Sequence, residues 1–206
     1  MGGGVDSRML SSLRPGFHLA PGLRVGLYGG SFDPAHGGHA HVARTALRRL
    51  RLDKVIWIVS PQNPLKQNRA RDHYAKRLAA VAKRAKGPAM IVSDIEARLD
   101  LGYSIDTVRW FQRRFRGVNC VWIMGADSLA GFHRWKGWAD LMRIIPVAVV
   151  SRPGVALRSR GAPTARRFAF ARRTALCAAT RPPAWVYLTA PFNPASSTAL
   201  RNNAGS

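Results

Sequence analysis

GGSFDPAHGGH, residues 29–39, is the stretch of this sequence that decides its fold. A short apolar run at residues 25–28 precedes it, and a helical pattern over residues 40–50 follows it. Glycines let backbone N–H groups approach an anion closely, and a helix start presents its N–H groups and positive dipole end to the same place. Histidine adds a hydrogen-bond donor at neutral pH. A strand, a glycine-rich turn with two histidines and a helix start therefore predict a phosphate-handling site.

Two other interpretations of this stretch stay open. One is metal binding, because Asp33, His36, His39 and His41 lie close together in sequence. A zinc site normally draws a fourth ligand from a second cluster, however, and no such cluster is visible. The other interpretation is a tight strand-to-helix turn in which the histidines are incidental.

The bulk composition predicts one cytoplasmic α/β domain. The chain has 206 residues, of which 47% are hydrophobic, and this is enough for a single well-packed core. Cys120 and Cys177 are far apart in apolar stretches and are expected to be reduced thiols. No apolar run reaches the length of a membrane span, so no membrane association is expected. We predict a poorly ordered N-terminal extension at residues 1–21 and the folded domain at residues 22–206, as a monomer or a homo-oligomer.

The net charge of +23 raises the question of nucleic-acid binding. The basic residues are spread along the chain, mostly on predicted outward faces of helices, and a basic surface attracts any polyanionic substrate. We therefore expect weak nonspecific binding at low salt but no specific nucleic-acid partner. The arginine clusters are Arg44, Arg48, Arg49 and Arg51; Arg113, Arg114 and Arg116; and Arg166, Arg167, Arg172 and Arg173.

Strand and helix patterns alternate along the chain, which predicts a doubly wound parallel sheet with helices on both faces. In such sheets ligands bind beyond the carboxyl ends of the strands, near the switch in strand order. The motifs that follow the strands should therefore meet at one edge of the sheet. The predicted strands cover residues 24–28, 55–59, 90–92, 120–124, 146–150 and 185–188, and the predicted helices cover residues 40–50, 72–86, 103–115 and 164–178, with a final helix from Ser196.

A second candidate motif lies near the C-terminus, where Ser196, Ser197 and Thr198 precede Arg201. A serine here is a good N-cap, and Arg201 would lie about one turn into the helix. Taken alone, this pattern favours an ordinary capped helix.

The spacing His36-Gly37-Gly38-His39 resembles the H-x-G-H signature of the nucleotidylyltransferase superfamily, and Ser197-x-x-x-Arg201 resembles its second motif. The resemblance covers residues 24 to 201. It implies a Rossmann-like fold and a reaction in which ATP and nicotinate mononucleotide give deamido-NAD and pyrophosphate. Five further stretches are similar to bacterial nicotinate-nucleotide adenylyltransferases: VSPQNPLK at 59–66, YSIDT at 103–107, GADSL at 125–129, FHRW at 132–135 and SRPG at 151–154.

The same resemblance implies the roles of individual residues. The catalytic residues would be His36, His39 and Arg201. One Mg²⁺ is expected to accompany ATP and to be held mainly by the nucleotide and water, so no protein side chain is expected to bind a metal. ATP-binding residues would be Gly29, Gly30, Ser31, Phe32, His36, His39, Gly125, Asp127, Ser196, Ser197, Thr198 and Arg201. Residues at the nicotinate mononucleotide would be Ser31, Lys66, Ser104, Trp135, Lys136 and Arg152.

Several of these roles have a structural alternative. Lys66 is also typical of a surface lysine, Asp127 of a helix N-cap, and Trp135 of a core residue. A rival enzyme is the phosphopantetheine adenylyltransferase, whose pattern has threonine at the position of His36 and lacks the FHRW stretch. A rival of another class is a nucleic-acid-binding protein that uses this fold as a scaffold.

Overall fold

The strands of the protein form one parallel sheet. A computed structural model describes residues 16–61, 72–151, 161–175 and 180–189. Within these ranges seven strands pair in the order β3–β2–β1–β4–β5–β7–β6, and every neighbouring pair is parallel. The strands are β1 (Arg24–Gly30), β2 (Lys54–Val59), β3 (Met90–Ser93), β4 (Asn119–Gly125), β5 (Val147–Val150), β6 (Arg172–Arg173) and β7 (Trp185–Leu188).

Helices cover both faces of this sheet, which confirms the predicted doubly wound architecture. The α-helices of the described residues are α1 (Gly37–Arg49), α2 (Asp72–Arg84), α3 (Ile95–Arg98), α4 (Ser104–Arg114), α5 (Ala126–Gly131), α6 (Trp138–Ile144) and α7 (Pro163–Arg167). The first two pack on one face of the sheet and the other five on the opposite face. Because both faces are covered, the central strands are continuous apolar runs, as β2 shows with its buried sequence from Val55 to Val59.

The strand order reverses between β1 and β4, and this places the candidate site. From β1 the chain builds outward through β2 and β3, then returns to build β4 against the other side of β1. The carboxyl ends of β1, β2, β4 and β5 therefore lie at the same edge of the sheet. Gly30, Ser60, Gly125 and Ser151 stand at that edge, so the predicted convergence of their motifs is confirmed for the described residues.

One predicted helix is wrong in most of its length. The helix expected over residues 164–178 ends at Arg167, and a 3-10 turn at Ala169–Ala171 leads into β6. Trp185 of β7 donates its indole N–H to the carbonyl oxygen of Phe168 at 2.8 Å, and β6 pairs with β7. These long-range contacts override the local helical pattern.

Part of the predicted N-terminal extension is among the described residues. Phe17 stacks on Phe111 and Phe115 with ring centroids 6.3 and 5.8 Å apart, and Leu19 is buried in the core. The domain boundary at residue 21 stays a prediction. Cys120 is a free thiol, and its burial raises its pKa to about 12. Cys177 lies outside the described residues. None of the helices in the described ranges is both long and apolar enough to cross a membrane.

Candidate active site

The turn between β1 and α1 is anchored by one buried ring. Phe32 has a φ of +47°, a backbone conformation that side-chain-bearing residues seldom adopt. Its ring packs against Tyr28, Trp57 and His39 with centroid distances of 5.2, 5.3 and 5.1 Å. Burial of this ring holds the strained backbone in place and fixes one side of His39.

The two histidines of the turn form a reciprocal cap at the start of α1. The Nδ1 atom of His36 accepts from the backbone N–H of Gly38 at 3.0 Å, and the Nδ1 atom of His39 accepts from the backbone N–H of His36 at 3.3 Å. The ring centroids lie 3.9 Å apart. A ring nitrogen that accepts a hydrogen bond carries no proton, so each neutral ring carries its proton at Nε2. The capping geometry thus makes both Nε2 atoms hydrogen-bond donors.

This helix start is suited to an anion. The first turn of α1 contains no acidic side chain, so the positive end of the dipole of this 13-residue helix is not neutralised there. Metal chelation by this segment has no support among the described residues, where no three His, Cys, Asp or Glu side chains are grouped as a metal site would require.

Gly29 and Gly30 lie at the end of β1, where packing excludes a side chain at Gly29 and leaves little room for one at Gly30. A Cβ atom at Gly29 would be 2.5 Å from the Cη2 atom of Trp122, and one at Gly30 would be 3.3 Å from the ring of Phe32. Trp122 is fully buried. Gly29 therefore makes room for the ring of Trp122, and Gly30 makes room for the ring of Phe32, which contacts His39.

Asp127 lies at the same edge of the sheet as the histidine turn. Parallel pairing matches Ile123 of β4 with Tyr28 of β1, which brings the end of β4 level with the end of β1. The N-cap of α5 is Gly125, and Asp127 is an exposed residue of the first turn. The alternative interpretation of Asp127 as the N-cap is therefore wrong. Its carboxylate stands at the switch point, where a sugar hydroxyl could be bound.

On the other face of the sheet, Ser104 and the Trp135–Lys136 loop come together. Ser104 is the first residue of α4, and the ammonium of Lys136 lies 4.3 Å from the ring centroid of Tyr103, the N-cap residue. Gly137 has a φ of +67°, and a Cβ there would be 3.1 Å from Ile105. The loop thus packs closely on the start of α4.

Trp135 is neither a core residue nor a freely exposed one. Its ring is half-buried and meets Phe132 edge-on at 5.0 Å and Trp122 at 6.4 Å. One edge is therefore fixed by aromatic packing while part of the ring stays accessible. This is the arrangement that a planar aromatic ligand needs for stacking.

Three residues that sequence reasoning missed bind the turns at this edge together. Arg77 of α2 donates to the carbonyl oxygens of Ser31, Ser60 and Pro61. Ser60 in turn donates its hydroxyl to Glu96 at 2.6 Å. Neither Glu96 nor Arg77 leaves a local signal in the sequence, because Glu96 lies in a helix of four residues and the hydrogen-bond partners of both side chains are distant along the chain.

Glu96 is the buried acid of this group, with 3% of its surface exposed. It also accepts from the hydroxyl of Thr107 at 2.7 Å. Burial raises the pKa of its carboxyl, and the two hydroxyl hydrogen bonds oppose that effect. Burial also lowers the pKa of Arg77, and the nearby charge of Asp33 opposes this.

Several predicted site residues lie outside the described part of the chain. They are Lys66, Arg152, Ser196, Ser197, Thr198 and Arg201. Ser31 is described, and its carbonyl oxygen is one of the acceptors of Arg77.

Comparisons with known proteins agree with this architecture. The profile of the cytidylyltransferase-like family matches residues 27–203. A probable nicotinate-nucleotide adenylyltransferase from a Caulobacter species is 61% identical over 183 residues, which cover 87% of this chain and 97% of that protein. The protein with the same description from Cereibacter sphaeroides is 51% identical over 178 residues, covering 86% and 96%.

Solved structures show the same fold at much lower identity. The Plasmodium falciparum nicotinic acid mononucleotide adenylyltransferase complexed with NaAD superposes with a TM-score of 0.63 and 13% identity, covering 86% of this chain and 82% of that one. A second structure of that enzyme, complexed with APC, gives a TM-score of 0.61 at 12% identity, covering 87% and 83%. At such identities the likeness concerns the fold alone.

Proposed function

We propose that this chain, which belongs to the cytidylyltransferase-like family and within it to the nicotinate-nucleotide adenylyltransferases, joins ATP and nicotinate mononucleotide. The reaction transfers AMP from ATP to the mononucleotide and gives deamido-NAD and pyrophosphate, a step of NAD biosynthesis. The observation that carries the proposal is the pair of adjacent histidines whose Nδ1 atoms cap α1, so that each neutral ring carries its proton at Nε2.

The chemistry needs no protein nucleophile. A 5′-phosphate oxygen of the mononucleotide attacks the α-phosphorus of ATP, a new P–O bond forms, and the bond from that phosphorus to the bridging oxygen of the β-phosphate breaks. Pyrophosphate leaves with the electron pair of the broken bond. Catalysis then consists of aligning the two phosphates and stabilising the negative charge that builds on the transferring group.

His36 and His39 supply that stabilisation. Their Nε2–H donors and the positive end of α1 act on the ATP phosphates, with His39 nearest the α-phosphorus. The cap supports this role, because it holds each ring in one tautomer and one orientation before ATP binds. In this proposal Arg201 and the helix start at Ser197 hold the departing pyrophosphate, and Ser196 and Thr198 assist them.

The remaining assignments of the nucleotide site belong to the same proposal. Asp127 binds the hydroxyls of the adenosine ribose, and its exposed position at the end of β4 supports this. Gly29, Gly30, Ser31, Phe32 and Gly125 form the surface on which the nucleotide lies.

We assign the pyridine ring to the pocket between Trp135 and the start of α4. The ring stacks on the accessible part of Trp135, and the nicotinate carboxylate accepts from backbone N–H groups at Ser104 and Lys136. The first N–H groups of a helix have no partner within the helix, which supports Ser104 as a donor. A carboxamide presents a donor where this pocket needs an acceptor, so the acid is preferred. Ser31, Lys66 and Arg152 would contact the mononucleotide phosphate.

Mg²⁺ accompanies ATP in this proposal. The described residues contain no acidic cluster that would hold the ion by itself, so ATP phosphate oxygens and water would be its main ligands. When bound, the ion would neutralise phosphate charge. The cytoplasm is the expected location, since ATP is made available there and the buried Cys120 is a free thiol.

Pyrophosphate release tests the proposal. The purified protein is incubated with ATP and Mg²⁺ and, in parallel, nicotinate mononucleotide, nicotinamide mononucleotide or phosphopantetheine. We expect rapid release with the nicotinate compound and slow release with the other two. Release that is fastest with phosphopantetheine, or absent with all three, would contradict the assigned substrate.

A further inference from the structure

The histidine turn and the turn after β2 are tied together by one side chain. Arg77 donates from Nη1 to the carbonyl oxygens of Ser31 and Ser60, the latter at 2.8 Å, and from Nη2 to the carbonyl oxygen of Pro61 at 2.8 Å. The backbone N–H of Ser60 donates to the carbonyl oxygen of Gly30 at 3.0 Å. The spacing between the end of β1 and the end of β2 is therefore fixed by four hydrogen bonds, three of them from one guanidinium.

The guanidinium is itself held in place. It lies 5.2 Å from the ring centroid of Tyr74, one turn earlier on α2, and the hydroxyl of Tyr74 donates to the carbonyl oxygen of Val59 at 3.1 Å. Burial raises the pKa of Tyr74 to about 12, so this hydroxyl keeps its proton. The planar guanidinium distributes its three hydrogen bonds over Nη1 and Nη2, and a lysine ammonium, with a single nitrogen, lacks that geometry.

Ser60 continues this connection to the other face of the sheet. Its hydroxyl donates to Oε2 of Glu96 at 2.6 Å, and Oε1 of Glu96 accepts from the hydroxyl of Thr107 at 2.7 Å. Thr107 lies in the first turn of α4, three residues after Ser104. A continuous set of hydrogen bonds thus runs from the histidine turn, through Arg77, Ser60 and Glu96, to the helix that begins at Ser104.

We propose that Arg77 is a positioning residue for adenylyl transfer: its guanidinium sets the histidine turn in register with the mononucleotide pocket by holding Ser31 and Ser60 together. This inference rests on the proposed function, because that function places one reacting phosphate at the histidine turn and the other substrate beside α4. In this proposal Arg77 acts through the backbone carbonyls that it binds and not through a contact with either substrate. It acts because two phosphates must meet in line, and a misplacement of about 1 Å can cost about 10²-fold in rate.

The expected signature is a loss in kcat rather than in binding. In Arg77→Ala the histidines keep their caps and α1 keeps its dipole, so the KM for ATP changes little. The relative placement of the two phosphates is lost, and kcat falls by about 10²-fold. Arg77→Lys keeps the charge but not the fork, and its kcat falls as well. The matched control is Arg84→Ala, since Arg84 is an exposed arginine in the last turn of the same helix.

The test measures steady-state kinetics of the full chain, with circular dichroism and Tm for each variant. Guanidinium chloride at millimolar concentration is then added to Arg77→Ala, with sodium chloride as the matched salt. We expect guanidinium to restore turnover in a concentration-dependent way and sodium to have no effect. A purely structural role would instead give a loss that follows the unfolded fraction and that guanidinium does not restore, and this result would overturn the proposal.

The outcomes separate this inference from the proposed function. If the unmodified protein and Arg84→Ala turn over nicotinate mononucleotide and folded Arg77→Ala has the same kcat as both, the inference fails and the proposed function stands. If Arg77→Ala does not fold, Arg77→Lys decides: a folded variant with the kcat of Arg84→Ala overturns the inference, and one with a lowered kcat at unchanged KM for ATP supports it. If the unmodified protein gives no turnover, the proposed function itself fails.

Discussion

Gly29→Ala places a single methyl group against the ring of Trp122 at the end of β1. The new Cβ would lie 2.5 Å from Cη2 and 2.8 Å from Cζ2 of Trp122, about 0.9 Å inside the 3.4 Å at which ordinary van der Waals contact begins. Trp122 cannot give way easily, because it is a fully buried, rigid ring with Trp135 edge-on against it. Overpacking of this kind costs about 1–3 kcal/mol.

The assay is a thermal unfolding series with a double-mutant cycle. For a domain of this size each kcal/mol lowers Tm by about 2–4 °C, so Gly29→Ala should melt several degrees lower. Trp122→Phe removes the part of the ring that meets the new methyl group. The double variant Gly29→Ala/Trp122→Phe should therefore be more stable than the sum of the two single effects predicts, with a coupling of about 1 kcal/mol or more.

Gly161→Ala is the matched control, because a Cβ at Gly161 would meet nothing within 4 Å. Its Tm should stay close to that of the unmodified protein. A Gly29→Ala variant that melts like this control, or a double variant whose effects simply add, would refute the packing argument for Gly29.

Three further predictions concern charge. Burial raises the pKa of Glu96 above its ordinary 4.5, so the folded state loses stability as pH rises from 4.5 through the folded-state pKa. The Tm of Glu96→Gln relative to that of the unmodified protein should increase over that range, and a Tm difference independent of pH would contradict this prediction. The hydrogen bonds of Arg24 lower the pKa of Asp53, so the decrease in Tm caused by Asp53→Asn should be full above the ordinary pKa of 3.8 and vanish as pH falls through the folded-state pKa. The kcat of this variant should be unchanged, since Arg24 and Asp53 lie at the edge of the sheet opposite the site, and a lowered kcat would count against that placement. Lys136→Met removes the charge over Tyr103 but keeps the backbone N–H. The ratio of kcat/KM for nicotinate mononucleotide to that for nicotinamide mononucleotide should fall by about tenfold, which is about 1.4 kcal/mol. An unchanged ratio would contradict this prediction and assign the selectivity to the backbone alone.

The sheet was predictable from the sequence because its central strands are buried on both faces. Runs such as the one from Val55 to Val59 have no polar positions that could suit another structure. The short helices and strands were harder to predict from the sequence. The helices α3 and α5 have four and six residues, too few for a helical period to be visible, and β6 exists only because β7 pairs with it.

The residues of the candidate site likewise include some that could be predicted from the sequence and some that could not. His36 and His39 could be identified because the whole capping arrangement lies within four residues. Arg77 could not, because its acceptor at Ser31 is 46 residues away and a backbone carbonyl carries no sequence signal. The pairing of Glu96 with Ser60, 36 residues apart, was hidden for the same reason.

Transfer of label from ATP tests the central claim most directly. The protein is incubated with nicotinate mononucleotide, Mg²⁺ and ATP labelled at the α-phosphate, and the products of the unmodified chain and of His39→Ala are separated. The account predicts that the label enters deamido-NAD with the unmodified chain and that folded His39→Ala transfers it more slowly by orders of magnitude. Label that never enters the dinucleotide, or a folded His39→Ala variant that transfers it at the normal rate, would contradict the account.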